Sequence, residues 1–135
     1  MFYFNKGSLR LGNEWQDKSL ITLVAETQSV TVTYSKRIPY GMTFHEFCDK
    51  EITDLGKQLT DYKELSREQK VVSSHKAVFT EFIWTSPKGK FHQMTLMVDM
   101  KDGFPAILTC TNLGEMSPSQ RNRFLAILNT FEPRD

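Results

Sequence analysis

The chain has 135 residues, a formal net charge of +1 and 24% charged residues. This length predicts a single domain, residues 1–135, with enough buried surface to fold without a disulfide or a metal. The near-zero charge argues against a partner bound mainly by charge, such as bulk nucleic acid or an anionic membrane. The composition indicates a globular domain and no particular function.

Location can be judged from the N-terminus and the cysteines. The stretch from Met1 to Gly7 lacks the basic start, long apolar run and cleavage site of a signal peptide. No segment approaches the ~18 apolar residues of a membrane span. Cys48 and Cys110 lie in apolar patterns that indicate buried thiols in a reducing compartment, with a single disulfide left open. We therefore expect a cytoplasmic protein without a membrane anchor.

Four strands are predicted in the N-terminal part. Phe2–Phe4 and Ser8–Leu11 flank a turn ending at Gly7 and are typical of a hairpin. Ser19–Ala25 and Ser29–Ser35 are rich in β-branched residues and are predicted as two further strands.

A long amphipathic helix is predicted from Phe44 to Leu59, where apolar residues recur at helical spacing. Thr43 and Glu46 have the spacing of a capping box at its start. Gly56 lies inside the helix, where it costs ~1 kcal/mol against Ala but allows close approach of another backbone.

Four more strands and a second helix are predicted in the C-terminal part. The strands are Gln69–Ser74, Ala77–Ser86, Lys90–Met100 and Phe104–Asn112. Ser117 is the predicted N-cap of the second helix, and Pro118 lies in its first turn. This order of elements predicts an α+β domain with one mostly antiparallel sheet.

No arrangement of catalytic residues is apparent. His45, His75 and His92 lie in a helix start, a turn and a strand, without metal-ligand spacing. The sequence has no Gly-rich phosphate loop, no serine nucleophile elbow and no activating motif around either cysteine. The carboxylates near Asp49 are typical of a solvated helix face. We therefore expect neither enzymatic activity nor a cofactor or metal.

Two predicted strands have an unusual second face that mixes apolar residues with Thr or Gln. Leu20, Thr22 and Val24 share such a face in the third strand, and Gln93 and Thr95 share one in the strand after the Pro-Lys-Gly turn. Solvated faces usually carry more Lys and Glu. The residues alone allow three ways of covering this surface: by the long helix, by a second subunit or by a bound apolar peptide. The pattern alone favours the first, a sheet with a core on both faces.

Several short motifs resemble those of the DcrB-related family. The segment Leu9–Leu20 has the family's opening pattern of an acidic turn, Trp, Asp, Ser and an apolar residue. The motifs that follow in order are Phe44–Phe47, Lys57–Leu59, Phe82–Trp84, Phe91–Gln93 and the helix Phe124–Phe131. Within the family, the chain most resembles the Eag chaperones of bacterial type VI secretion, since the lipoprotein signal of the envelope branch is missing.

The resemblance implies a Mog1/PsbP-like α+β fold, with an antiparallel sheet, a long central helix and a C-terminal helix. It also implies a cytoplasmic homodimer without enzymatic activity. Such a protein binds the N-terminal transmembrane helices of an Rhs- or PAAR-type effector, shields them and helps load the effector onto the VgrG spike.

The same resemblance implies a client-binding site on the first strand, the long helix and a later strand. Including the residues that share these faces, the predicted site comprises Leu20, Thr22, Val24, Glu51, Leu55, Leu59, Gln93 and Thr95. Glu51 departs from the neutral polar residue of the family pattern. A charge there is costly against a buried apolar client unless it finds a partner.

Two other functions remain open on the residues alone. A small-ligand or lipid-binding module would use the same concave face. An RNA-binding adaptor would use the basic residues at Lys36-Arg37 and Lys88–Lys90, with Phe91 stacking on a base.

Overall fold

The strands form two sheets, and the larger one is a seven-stranded antiparallel sheet with one helix packed on each face. The computed structural model describes residues 28–133 throughout and, before them, only the strand backbones of residues 2–4, 7–9, 16–17 and 22–25. In chain order the elements are β1 (Phe2–Phe4), β2 (Gly7–Leu9), β3 (Gln16–Asp17), β4 (Thr22–Ala25), β5 (Gln28–Tyr34), α1 (Phe44–Gln58), β6 (Lys63–Val72), β7 (His75–Ser86), β8 (Gly89–Val98), β9 (Ala106–Leu113), α2 (Pro118–Asn129) and β10 (Glu132–Pro133).

The α+β class, the N-terminal hairpin and both helices are confirmed. The prediction of one sheet was wrong, because β1 and β2 pair with β10 in a separate three-stranded sheet. The large sheet has the strand order β3-β4-β5-β9-β8-β7-β6. The two-residue strands β3 and β10 were not predicted, since two residues cannot show a periodic pattern.

The larger core lies between the sheet and α2. Alternate residues over most of β5, β8 and β9, together with Ala77 and Phe79 of β7, point into it, as the alternation of strand side chains requires. From α2 it receives Phe124, Ile127 and Leu128, all less than 5% exposed. Burial of each such side chain contributes about 1.5–3 kcal/mol, so this face carries most of the packing.

A smaller core lies on the opposite face, under the first half of α1. Phe44, Phe47, Cys48 and Ile52 of the helix pack there against the sheet. The sheet contributes Val78 of β7, Met97 of β8 and, at the margin, Ile107 of β9. The helix thus covers only part of this face.

Strand β6 lies at the edge of the sheet and is longer than predicted. The prediction began at Gln69, whereas β6 begins at Lys63. Most of its side chains are exposed and polar, which hides the two-residue period. A bulge between Glu64 and Ser66 interrupts its pairing with β7, and bulges and charges of this kind protect an edge from pairing with other chains.

His75 begins β7 rather than lying in a turn. The preceding connection is only two residues long, with φ of 47° at Ser73 and 69° at Ser74, the positive values of a tight hairpin. Because neither position is Gly or Asn, the turn was not predicted at these two residues. The buried His75 places Nδ1 2.7 Å from the carbonyl oxygen of Asp99.

Both helices begin at capping boxes. Thr43 Oγ1 accepts the Glu46 amide at 3.1 Å, and the Glu46 carboxylate accepts the Thr43 amide at 3.3 Å. Ser117 and Gln120 make the same reciprocal pair at the start of α2. The predicted caps are therefore confirmed.

The two cysteines are free and buried on opposite faces of the sheet. Burial, with the nearby charges of Asp49, Asp99 and Glu51, raises the pKa of the Cys48 thiol to about 12. Burial likewise raises the pKa of Cys110. The disulfide that was left open is excluded, and neither thiol has the character of a nucleophile.

A buried polar network joins α2 to the sheet. Met116 N–H donates to His92 Nδ1 at 2.9 Å, so the ring proton lies on Nε2 and is donated to Glu81 at 2.7 Å. Arg121 binds the same carboxylate with three hydrogen bonds of 2.7–3.1 Å. Burial alone would raise the pKa of Glu81, but the hydrogen bonds from Arg121 and His92 hold it below its ordinary value.

Gly56 of α1 makes room for an aromatic side chain rather than for another backbone. A Cβ at this position would lie 2.9 Å from Cε1 of Tyr62, whose ring packs on Phe82 with centroids 5.2 Å apart. The ring cannot move freely, so an added methyl group overpacks the site.

Gly56→Ala is therefore expected to lower the free energy of unfolding, although Ala favours a helix. Overpacking costs about 1–3 kcal/mol and outweighs the ~1 kcal/mol gained in propensity. Urea unfolding of Gly56→Ala, Tyr62→Ala and the double variant measures both effects. In the Tyr62→Ala background the same substitution should stabilise, and a loss there would contradict this explanation.

Candidate functional site

A cleft opens where the second half of α1 runs beside the sheet. The first half of the helix is seated on β7 and β8, whereas Leu55 and Leu59 at its end are only half-buried. Between this end of the helix and the sheet lies a cleft of about 400 Å³. It forms because the helix covers only part of the face, which leaves side chains of β8 and β9 facing open space.

The walls of the cleft are mostly apolar and its floor is partly polar. The apolar lining residues are Ile52, Leu55, Leu59, Phe82, Trp84, Met97 and Ile107. The polar lining residues are Glu51, Gln93, Thr95 and Thr109. Only Glu51 among them is charged, so the cleft combines a large apolar surface with a few hydroxyl and amide groups.

The polar floor follows from strand register. Thr31, Thr109, Thr95 and Thr80 are consecutive cross-strand partners on β5, β9, β8 and β7. Cross-strand partners share a face of the sheet, so these threonines form one row. The backbone register continues the row to Thr22 on β4.

A second row of partners runs beside the first. It joins Ser29, Thr111, Gln93 and Phe82 in register. On β4, Val24 is the partner of Ser29. The unlike faces predicted from the alternation of β8 are confirmed: Met94, Leu96 and Val98 belong to the α2 core and the residues between them face α1.

Gln93 is held by its neighbours. Trp84 Nε1 donates to Gln93 Oε1 at 2.6 Å, and Gln93 Nε2 donates to Thr111 Oγ1 at 2.8 Å. The Trp84 ring also meets Phe91 edge-on, with centroids 5.5 Å apart. These two hydrogen bonds fix the orientation of the Gln93 amide and the Trp84 indole.

Glu51 has a cationic partner at the rim of the cleft. Lys36 Nζ lies 3.3 Å from Glu51 Oε1, and the Glu51 side chain is 32% exposed. The pair keeps the charge at the rim, where water reaches it. The neighbouring carboxylates are also paired individually: Asp49 with Arg67 and Asp54 with Lys50.

Five of the eight predicted site residues line this one cleft: Glu51, Leu55, Leu59, Gln93 and Thr95. Thr22 and Val24 are placed by backbone register alone, on β4 beyond β5. Leu20 lies outside the described residues. The structure thus brings together the helix and β8 positions, and whether any of them binds a client stays a prediction.

Six lining residues were not predicted as part of the site. Ile52, Phe82, Trp84, Met97, Ile107 and Thr109 complete the cleft. Met97 shares the predicted face of Gln93 and Thr95, so alternation alone was enough to include it. Ile107 and Thr109 could be assigned to the site only once β9 was known to lie next to β8.

No metal centre is found where the structure describes side chains. No three His, Cys, Asp or Glu residues of that region are close enough together to hold an ion. Within the same region, no helix is long and apolar enough to cross a membrane.

Comparisons with known proteins agree with this architecture. A sequence model of the DcrB family matches residues 6–130. No curated protein matches the sequence.

Solved structures with a similar fold include three from different organisms. PA94, a protein of unknown function from Pseudomonas aeruginosa, is 16% identical with a TM-score of 0.74, over 97% of this chain and 99% of that one. The cyanobacterial PsbP protein CyanoP from Synechocystis sp. PCC 6803 is 11% identical with a TM-score of 0.65, over 91% and 84%. LpqN from Mycobacterium tuberculosis, involved in cell envelope biogenesis, is 9% identical with a TM-score of 0.67, over 96% and 83%. At such identities the likeness concerns the fold, and the expected Mog1/PsbP-like α+β fold is confirmed.

Proposed function

Because this chain belongs to the DcrB family, we propose that it is a cytoplasmic chaperone of a type VI secretion effector. In this proposal it binds and shields the N-terminal transmembrane helices of an Rhs- or PAAR-type effector and helps load the effector onto the VgrG spike. The motifs that resemble Eag chaperones support this assignment, and the cleft beside α1 is the observation that carries it.

The cleft suits one face of an apolar helix. A helix with its side chains is about 10 Å across, so a cleft of about 400 Å³ accepts the side chains of one face rather than a whole helix. Leu55, Leu59 and Ile107 offer apolar contact, which contributes about 25 cal/mol per Å² removed from water. Thr95 and Thr109 offer hydroxyl groups of the kind that bind Ser, Thr and Gly surfaces between membrane helices.

The proposal includes a homodimer. One copy covers one side of a client helix and leaves the other side in water, where apolar surface promotes aggregation. A second copy of the same cleft would cover a second side or a second helix. This gives a physical reason for the dimer that the family resemblance implies.

The test is coexpression of the full chain with the N-terminal fragment of the effector encoded beside it. We expect the fragment to become soluble and to co-purify with the chain as a complex containing two chaperone copies, measured by native mass spectrometry. As a control, the same fragment is expressed alone and should be insoluble. A fragment that stays insoluble, or that is soluble without binding the chain, would contradict the proposal.

A second candidate function is binding of a small apolar ligand or lipid. The volume of the cleft, about 400 Å³, lies within the roughly 300–1,000 Å³ of small-molecule sites. A stoichiometric small molecule in native mass spectra of the chain from its own host would favour this function. RNA binding gains no similar support, since Lys36 pairs with Glu51, Arg37 lies over the Phe104 ring at 5.5 Å, and the Phe91 ring packs edge-on against Trp84.

A further inference from the structure

The apolar cleft beside α1 carries its charge at one end. Among its lining residues in the part of the chain that the structure describes, Glu51 alone is charged. About two turns of helix separate Glu51 from Leu59, at the end of α1. The cleft therefore has a carboxylate near one end and uncharged side chains along the rest of its length.

The charged end lies next to the loop between β5 and α1. Lys36 of this loop reaches the carboxylate, with Nζ 3.3 Å from Glu51 Oε1, but Lys36 does not itself line the cleft. The opposite end lies beside the last turn of α1 and Trp84. A client segment in the cleft therefore meets the carboxylate from inside, whereas Lys36 meets it from outside.

The contact with Lys36 leaves the carboxylate able to bind a second cation. The ammonium of Lys36 is the one cation paired with Glu51 within residues 28–133, and a carboxylate has about four acceptor sites. Water supplies the remaining donors at present, because the Glu51 side chain is 32% exposed. A client that covers Glu51 removes this water, and the carboxylate then needs donors from the client in its place.

The surrounding charges favour a cation as that donor. Burial and then the charges of Asp49, Asp99 and Glu51 raise the pKa of the Cys48 thiol to about 12, so three carboxylates act on this part of α1. An ammonium or guanidinium group reduces the repulsion among them and forms a stronger, charge-assisted hydrogen bond than a neutral donor does. Lys and Arg are also the residues that often border a transmembrane segment on one side.

We propose that Glu51 binds a Lys or Arg residue that borders the apolar segment of the client. This inference rests on the proposed function and adds a rule of client choice and a direction. The cation lies at the Lys36 end of the cleft, and the apolar residues extend from it past Leu55 towards Trp84. A client with Asp or Glu at that place sets two carboxylates against each other and binds more weakly.

The test uses three peptides with capped termini and the full chain. Each peptide is an apolar helix of about 18 Leu, Ala and Ser residues with one Lys, one Asp or one Ser in its first turn and a neutral fluorophore. Fluorescence anisotropy at low salt measures the Kd. We expect the Lys peptide to bind about three- to tenfold more tightly than the Ser peptide, and the Asp peptide to bind more weakly than either. Rising salt should reduce both differences, and equal Kd values for the three peptides would overturn the inference.

The decisive variant is Lys36→Glu/Glu51→Lys, which keeps the ion pair and the net charge but places the positive member in the cleft. It should reverse the order of the Lys and Asp peptides, and since the peptides are the same, their own helicity cannot cause the reversal. The matched control is Lys50→Asp/Asp54→Lys. It exchanges an exposed pair 2.8 Å apart on the same helix that does not line the cleft, and it should keep the order.

A second variant, Glu51→Gln, removes the charge with little change of shape and should abolish the preference for the Lys peptide over the Ser peptide. Circular dichroism shows whether each variant is folded. If the folded variants at Glu51 keep the wild-type order, or if the control reverses it as well, the inference is wrong. If the wild type binds none of the peptides, the proposed function itself fails, so the two failures are distinguishable.

Discussion

Leu55→Asp is expected to abolish binding of an apolar client segment while the chain remains folded. Leu55 is half-buried and lines the cleft from α1, so in the free protein the new carboxylate stays in contact with water. In the complex it is buried against an apolar helix without a partner, which costs about 3 kcal/mol or more, or roughly a 100-fold rise in Kd.

The control for this variant lies two residues away. Thr53 is exposed on the same helix and does not line the cleft, so Thr53→Asp adds the same charge and should leave the Kd within about twofold. Thr109→Asp places a carboxylate on the sheet side of the cleft and should repeat the effect of Leu55→Asp independently. Circular dichroism and thermal unfolding show whether each variant is folded. Unchanged binding by the two cleft variants, with the fold intact, would exclude this cleft as the client site.

Glu81→Gln is expected to cause the largest loss of stability without touching the cleft. The buried carboxylate accepts hydrogen bonds from His92 and Arg121, and an amide in its place sets an N–H group against one of these donors. Removing one partner of a buried charged network costs about 3 kcal/mol. Urea unfolding at pH 7 measures the loss, and client binding by the remaining folded protein should be unchanged.

The matched control is Glu68→Gln on the same sheet. Glu68 is exposed and lies 4.0 Å from Lys70, so its loss should change the free energy of unfolding by less than about 0.5 kcal/mol. Equal effects of the two substitutions would contradict the role given to the network.

Acid should remove the contribution of Glu81 as well. Its folded pKa lies below the ordinary value of 4.5, so its stabilisation is complete above pH 4.5 and is lost as the pH falls through the folded pKa. The difference in unfolding free energy between wild type and Glu81→Gln should therefore shrink in acid. A difference that stays constant to low pH would show that the charge of Glu81 is not what stabilises the fold.

Much of the fold could be predicted because local rules and tertiary structure agree. The capping box at Thr43 and the N-cap at Ser117 depend on residues a few positions apart, and both were found where predicted; the reciprocal bond from Gln120 at Ser117 was not predicted. The alternation in β8 identified the face that joins the α2 core. Edge strand β6 was predicted too short, since a strand exposed on its outer side keeps few apolar residues to show its period.

The candidate site was harder to predict because it is made by strands far apart in sequence. Gln93 and Thr95 were found from their own strand, and Leu55 and Leu59 from the family resemblance. Thr109 joins them only through the register of β9 with β8.

The length of 135 residues and the net charge of +1 predict a single domain and argue against a partner bound mainly by charge. They indicate nothing more about function. The sequence by itself determined the α+β class, both helix starts and the two unlike faces of the central strands, because each depends on residues a few positions apart. Only the tertiary structure decided how much of the second face α1 covers. The helix is seated by Phe47, Cys48 and Ile52, and where these contacts end, the apolar groups and hydroxyls beyond them face open space. The point at which α1 stops packing on the sheet cannot be read from the periodicity of the sequence, and it is what leaves a cleft on the second face.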